Sequence, residues 1–318
     1  MANRSNILGR AFEYACINTF EKEISKFRQV QVEKNSSYEA TRRAWNETDE
    51  TEKKSLCSSA LASVKTIFEL EPLIIEVDED TLDLKIQSDQ EGVIGDVRDV
   101  LFIRNGIEWE IGLSVKHNHF AVKHSRLSKN LDFGDKWFGI KCSNQYWEDI
   151  EPIFSNLEKE KELGTKWKDL PSKWDDVYEP LLQAFLDELN RSYKIHGNII
   201  PSKMVEYLLG HFDFYKVIGI DSKKVTEIQT FNLRGTLNKS SKQQKPEITI
   251  PTSNLPSRII CADFKPDHKN VIEVFFDAGW QFKFRIHNAS SKVETSLKFD
   301  IEIIGMPTTI IVMKCRWR

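Results

Sequence analysis

Gly95-Asp-Val-Arg-Asp-Val-Leu-Phe-Ile-Arg-Asn-Gly-Ile-Glu-Trp-Glu-Ile-Gly-Leu-Ser-Val-Lys116 is the stretch that decides the fold. Residues 97–104 read as a strand, Asn105-Gly106 as a two-residue turn, and residues 107–116 as the returning strand. Asn-Gly favours a type I′ turn because both central residues then take positive φ. That turn faces Arg104 with Ile107 and Asp99 with Gly112. Side chains alternate with period two, so Val100, Phe102, Trp109, Ile111, Leu113 and Val115 share an apolar face. The opposite face gathers Asp99, Ser114, Lys116 and Glu110, and Gly112 is expected to leave room there for a metal, a water or a phosphate.

An acid and a lysine on one face of a strand pair suit phosphodiester hydrolysis. A carboxylate such as Asp99 is a hard oxygen ligand for Mg²⁺. The metal polarises the phosphate and acidifies its bound water, and a lysine offsets developing charge. The blander alternative is a surface ion pair. The residues that follow favour the nuclease reading. His117, Asn118, His119, Lys123, His124, Ser125, Arg126 and Lys129 lead off the second strand, a basic, hydroxyl- and histidine-rich segment suited to a phosphate backbone. Three histidines also raise zinc, but no cysteine pair and no HExxH helix accompanies them. No GxSxG elbow and no GxxxxGK[ST] loop is present, so serine-hydrolase and ATP-motor chemistry are not supported.

Outward from this hairpin, residues 8–28 follow a three-four apolar spacing and predict a helix, and residues 38–70 predict another. Residues 73–77 look like a strand opening an acidic run, 69–91, which reads as a solvated acidic surface. Helical patterns return from 137 to 189 and at 201–211. Beyond 212 the chain turns to β, with strands expected at 217–220, 225–231, 247–250, 271–276, 281–286, 297–304 and 309–314, and a mobile loop at 238–256. Residues 1–212 are therefore expected to form a core with helical insertions, and 213–318 a β-rich region. Arg234, Lys239, Lys242, Lys245 and Arg258 make that region basic and offer Arg234 and Arg258 to guanine O6 and N7.

The chain has 318 residues, 45 Lys+Arg against 48 Asp+Glu, and 40% hydrophobic residues, an ordinary globular composition. Five scattered cysteines without a CxxC pair argue against a disulfide framework. No signal-like segment and no spanning apolar run is visible, so a cytoplasmic protein without a membrane partner is expected.

Asp99 heading an apolar strand, then a turn, then a strand ending Ser114-Val-Lys116, resembles the PD-(D/E)XK nuclease core, an α/β fold with a mixed central sheet flanked by helices. Gly9-Arg-Ala-Phe-Glu13-Tyr resembles that superfamily's first core helix, whose glutamate assists metal binding. More narrowly, Gly95-Asp-Val-Arg-Asp-Val, Leu113-Ser-Val-Lys-His-Asn-His, Lys123-His-Ser-Arg-Leu-Ser and Asp132-Phe-Gly resemble the HaeIII family of type II restriction endonucleases. The resemblance implies a Mg²⁺-dependent endonuclease of double-stranded DNA, with GGCC and a central blunt cut as the family's type. It also implies a restriction-modification system with a cognate DNA methyltransferase, and a palindrome suits a homodimer. Ser114 stands where the superfamily carries an acid two residues before the lysine, so the second carboxylate comes from Glu13, Asp96 or Glu110, or Ser114 acts through a water. A structure-specific or repair nuclease and a non-catalytic DNA-binding protein are the competing readings.

Overall fold

The computed structural model describes residues 4–88 and 95–317, and the chain forms two compact units. The first takes in the described residues of Met1–Phe120, Gly210–Ser253 and Thr308–Arg318; the second is Ala121–Leu209 with Asn254–Pro307. This differs from a division at 212, because strands from both sides of that point are neighbours in one sheet, with Leu113 opposite Tyr215. Among the described residues no helix is long and apolar enough to cross a membrane, and all five cysteines are free.

The first unit is a mixed seven-stranded sheet covered on one face by helices. Its strands are β1 (Val30–Glu33), β2 (Leu82–Ile86), β3 (Val100–Arg104), β4 (Trp109–His117), β6 (Phe214–Ile220), β7 (Val225–Phe231) and β12 (Val312–Arg316), hydrogen-bonded in that order. β4 and β6 run parallel, as do β1 and β2; the other pairs are antiparallel. Helix α1 (Arg4–Ile24) buries Phe12, Ala15, Cys16 and Phe20 against the apolar face carrying Val100, Phe102, Ile111, Leu113 and Val115. The expected second helix is two: α2 (Ser36–Asn46) and α3 (Glu50–Leu70). Asp49 breaks it by accepting from the Glu52 amide at 2.8 Å while the Glu52 carboxylate accepts from the Asp49 amide, a capping box that starts α3 afresh.

The acidic run is not a solvated surface. Its expected strand at 73–77 is a 3₁₀ turn, Pro72–Ile74, and its carboxylates wrap two buried arginines. Arg104 donates to Glu76 at 2.5 Å and to Asp80 at 2.7 and 2.9 Å, and Arg28 also pairs with Asp80. Guanidinium hydrogen bonds outweigh partial burial and hold the Asp80 carboxyl at about 2. Removing one partner of such a pair costs about 3–5 kcal/mol. Asp89 and Glu91, the last acids of the run, lie outside the described residues.

Nor is 247–250 a strand, and the 238–256 segment is anchored: the Asn238 side chain donates to the Leu70 and Ile248 carbonyls and accepts from the Ile250 amide. Its first residue leans on Glu71, which accepts from the Asn238 amide at 2.5 Å and the Tyr215 hydroxyl at 2.6 Å. Burial pushes the Glu71 carboxyl from about 4.5 up to about 7, against the downward pull of those hydrogen bonds. The folded chain thus holds this proton more tightly than the unfolded chain. Stability should fall as pH rises from about 4.5 to about 7, by about 3 kcal/mol from this group. Glu71→Gln is expected to flatten that slope in urea titrations at pH 5 and pH 7.5; an unchanged slope would rule the assignment out.

The second unit carries a five-stranded antiparallel sheet in the order β5 (Ala121–Ser128), β11 (Ser296–Gly305), β10 (Gln281–His287), β9 (Val271–Phe276) and β8 (Ile259–Phe264). Its helices are α4 (Phe133–Phe138), α5 (Asn144–Glu162), α6 (Glu179–His196) and α7 (Ile199–Leu209). Phe133, Trp137 and Phe185 pack with Phe284 and Phe299 of the sheet into an aromatic core. β5 was not expected as a strand, because Lys123 and Ser125 sit on its inward side; Lys123 donates to the Tyr207 carbonyl at 2.8 Å and Ser125 meets the Tyr207 hydroxyl at 3.1 Å.

Candidate active site

The hairpin expected at 97–116 is present with a different turn. Asn105–Ile107 form a 3₁₀ turn closed by Glu108 at φ 51°, so Arg104 faces Trp109 and the pairing shifts by two residues from that of an Asn-Gly turn. A shift of two preserves every side chain's face. The apolar face is as expected, and the change brings Asp99 opposite Ser114 instead of Gly112: the Asp99 amide donates to the Leu113 carbonyl at 2.7 Å.

Asp99 and Lys116 meet there. The Lys116 ammonium donates to Asp99 Oδ2 at 2.8 Å, the Val115 amide donates to the same oxygen at 2.6 Å, and the Ser114 hydroxyl lies 3.4 Å away. All three donors converge on Oδ2; among the described residues none donates to Oδ1. Burial alone would lower the Lys116 pKa, but the charge and hydrogen bond of Asp99, with the charge of Glu13, hold it above the ordinary lysine value. Glu13, half-buried on α1, also acts on the Cys16 thiol, which burial, then Glu13 and Asp99, push well up. Glu13, Asp99 and Lys116 thus belong to one electrostatic neighbourhood.

Asp96 and Glu110 are placed differently. Arg98 donates to Asp96 through Nε at 2.8 Å and NH2 at 2.7 Å, and pairs with Glu110 at 2.7 Å. The Arg98 amide and Gln87 complete the Asp96 carboxylate, leaving neither oxygen without a donor. The arginine stacks on Phe212 at 4.0 Å and fills the space above Gly112, where an added Cβ would lie 2.4 Å from Arg98 Cδ. The glycine thus makes room for an arginine, not for a metal. Gly95 enters this segment at φ 97° with its carbonyl bonded to the His211 amide; a Cβ there would meet the His211 ring at 2.4 Å.

A family model described as HaeIII restriction endonuclease matches residues 9–307. The type II restriction enzyme HaeIII of Haemophilus aegyptius is 52% identical over 317 residues, covering 100% of this chain and 99% of that protein. The chain belongs to the HaeIII restriction endonuclease family. Site-specific DNA cleavage is the activity that membership carries. No solved structure matches the chain.

In this HaeIII-family chain the residues read as DNA-facing divide by their partners. His117 and Asn118 both bond Asp221 Oδ2, at 2.7 and 2.8 Å, and Ser55 bonds its other oxygen at 2.6 Å, so the two residues secure the β6–β7 turn. They line a cavity of about 670 Å³ together with Leu8, Lys54 and Trp317. His119 is half-buried just beyond β4. On β5, His124 and Arg126 point outward while Lys123 and Ser125 point in; burial, then the Lys136 charge, lowers the Lys123 pKa to about 8. Lys129 pairs with Glu158 at 2.7 Å. Arg234 is exposed on a turn that Asp213 organises through the Leu233, Arg234 and Thr236 amides. Arg258, also exposed, lies 3.6 Å from Asp277. The roles of Arg98, inside the Gly95–Val100 motif, and of Asp221, just past the strand expected at 217–220, were not expected. The available signal was Gly112, whose missing side chain had to be filled by something on its own face.

Proposed function

We propose that this chain hydrolyses phosphodiester bonds of double-stranded DNA at a short palindrome, of the family's GGCC type, with Mg²⁺ at Asp99. The Asp99–Lys116 pair carries the proposal. The first unit's sheet serves as a PD-(D/E)XK-type core, with Ser114 in the place of the usual acid. The residues present fit a magnesium ion. Asp99 keeps Oδ1 for a cation, Glu13 is the further carboxylate whose charge acts on Lys116, and Asp96 is already saturated by Arg98 and Gln87. Among the described residues no three His, Cys, Asp or Glu side chains converge as a cage. Mg²⁺ matches that poverty, since it commonly takes one or two carboxylates and completes its shell with water and substrate phosphate. When bound, it supplies a Lewis acid toward the scissile phosphate and acidifies water beside it.

The protein's own part follows from protonation. Lys116 stays an ammonium at neutral pH, so it donates to developing charge instead of taking a proton from water. Ser114 and the Val115 amide fix the Asp99 carboxylate through one oxygen, so the other would be the one to hold a cation. Exposed Arg234 and Arg258 are the groups proposed to read guanines, and a two-fold dimer would match a palindrome. A host carrying such an activity needs a cognate methyltransferase to protect its own sites. The test is plasmid DNA incubated with and without Mg²⁺, with the product ends sequenced. Discrete fragments ending within GGCC, lost on chelation and needing more Mg²⁺ in Glu13→Gln, are expected. Random ends would indicate a repair nuclease, and intact plasmid a DNA-binding protein.

A further inference from the structure

The outer face of the second unit's sheet is unlike its inner face in kind. Inward go Leu127, Phe284, Ile286, Leu297, Phe299 and Ile301, all fully buried. Outward, the strand register lines Arg126, Lys298 and His287 in one cross-strand row, and His124, Asp300 and Arg285 in the next. Asp300 is the hub: His124 lies 3.0 Å from it, Arg285 2.6 Å, His287 3.2 Å and Lys298 3.9 Å. Arg126 reaches Glu294 at 3.4 Å and the Ser296 carbonyl at 3.0 Å. Five nitrogen bases therefore share two carboxylates. The next row, Glu302, Lys283, Glu273 and Asp263, is by contrast acidic, with Lys283 paired to Glu302 at 2.7 Å. In these two rows three permanent cations, Arg126, Arg285 and Lys298, face the two carboxylates Asp300 and Glu294, and the side chains of His124, Arg126 and Arg285 keep 42%, 44% and 54% of their surface exposed.

We infer that this face binds the phosphate backbone of duplex DNA, with Arg285, Lys298 and Arg126 as the contacting cations and Asp300 holding them in place between encounters. The inference rests on the nuclease reading for its choice of anion. It assigns to the sheet face a task that the β5 segment alone cannot perform, since only every second residue of β5 points outward.

The test is DNA binding without metal, by titration at several salt concentrations, on a GGCC duplex and a scrambled one. Arg285→Ala/Lys298→Ala is expected to weaken both duplexes alike and to flatten the salt slope by about 2, at about 0.9 per phosphate contact. Asp300→Asn removes the central anion and is expected to tighten both duplexes. Lys194→Ala, a surface cation of α6, should leave the slope unchanged, and thermal unfolding midpoints check that each variant folds. Wild-type slopes in the double variant, weakening on the GGCC duplex alone, or weaker binding by Asp300→Asn would each overturn the inference. Mg²⁺-dependent cutting by the wild type is a separate readout. If cutting is absent while the double variant still loses binding, the nuclease reading fails and the surface stands.

Discussion

Lys116→Ala is expected to cut target DNA about 10²–10³-fold more slowly than wild type, the usual loss when one preorganised donor to developing charge is removed. Duplex binding in Ca²⁺ and the far-UV spectrum should stay as in wild type, because the ammonium is half-buried at a strand end and supports no core packing. Its raised pKa adds a pH signature. The group stays charged through and beyond neutrality, so the wild-type rate should show no loss from lysine deprotonation below the ordinary lysine range. Lys116→Arg, which keeps the charge with different geometry, should recover part of the rate. Single-turnover gels measure both variants; full activity in Lys116→Ala would remove the lysine from the mechanism.

Gly112→Ala has the second large effect, and it acts without touching the reacting atoms. The added methyl would lie 2.4 Å from Arg98 Cδ and 2.8 Å from its Cβ and Cγ. Arg98 cannot yield freely, since it is clamped by Asp96 and Glu110 and stacked on Phe212. The residue that must move with it is its neighbour Asp99. Overpacking of this kind costs about 1–3 kcal/mol of stability. Displacing the support behind a metal ligand typically lowers metal affinity or activity roughly 10- to 100-fold. Cleavage against Mg²⁺ concentration and a thermal midpoint separate the two effects. Rates within twofold of wild type at all Mg²⁺ concentrations would show that Arg98 does not position Asp99.

Much of the site was legible because strand alternation tolerates an error in the turn. An Asn-Gly turn and the observed 3₁₀ turn differ by two residues in register, and an even shift leaves Asp99, Ser114 and Lys116 on one face. The same logic identified the apolar face that α1 covers. What escaped was set by distant partners. Glu71, Glu76 and Asp80 look like solvated acids in sequence; Tyr215, Arg104 and Arg28 make the first two interior groups and pair the third, and those residues lie up to 144 positions away. β1 has only four residues and finds its register from parallel β2, so no local pattern announces it. β5 hid its period because inward Lys123 and Ser125 are satisfied by Tyr207, and a polar residue facing the core reads as loop. The expected reach of His117 and Asn118 toward a phosphate likewise ignored Asp221, which lies about a hundred residues on and engages both.

The most direct test of the Asp99 site is single-turnover cleavage of a GGCC duplex by Asp99→Asn across a Mg²⁺ titration, with binding in Ca²⁺ measured alongside. The amide keeps the size of the carboxylate and an acceptor for the Val115 amide, but loses the charge that holds both Lys116 and a cation. No product at any Mg²⁺ concentration, with the duplex still bound, is the predicted result. Product formed at a rate near wild type would contradict the assignment of Asp99 as the metal-holding carboxylate.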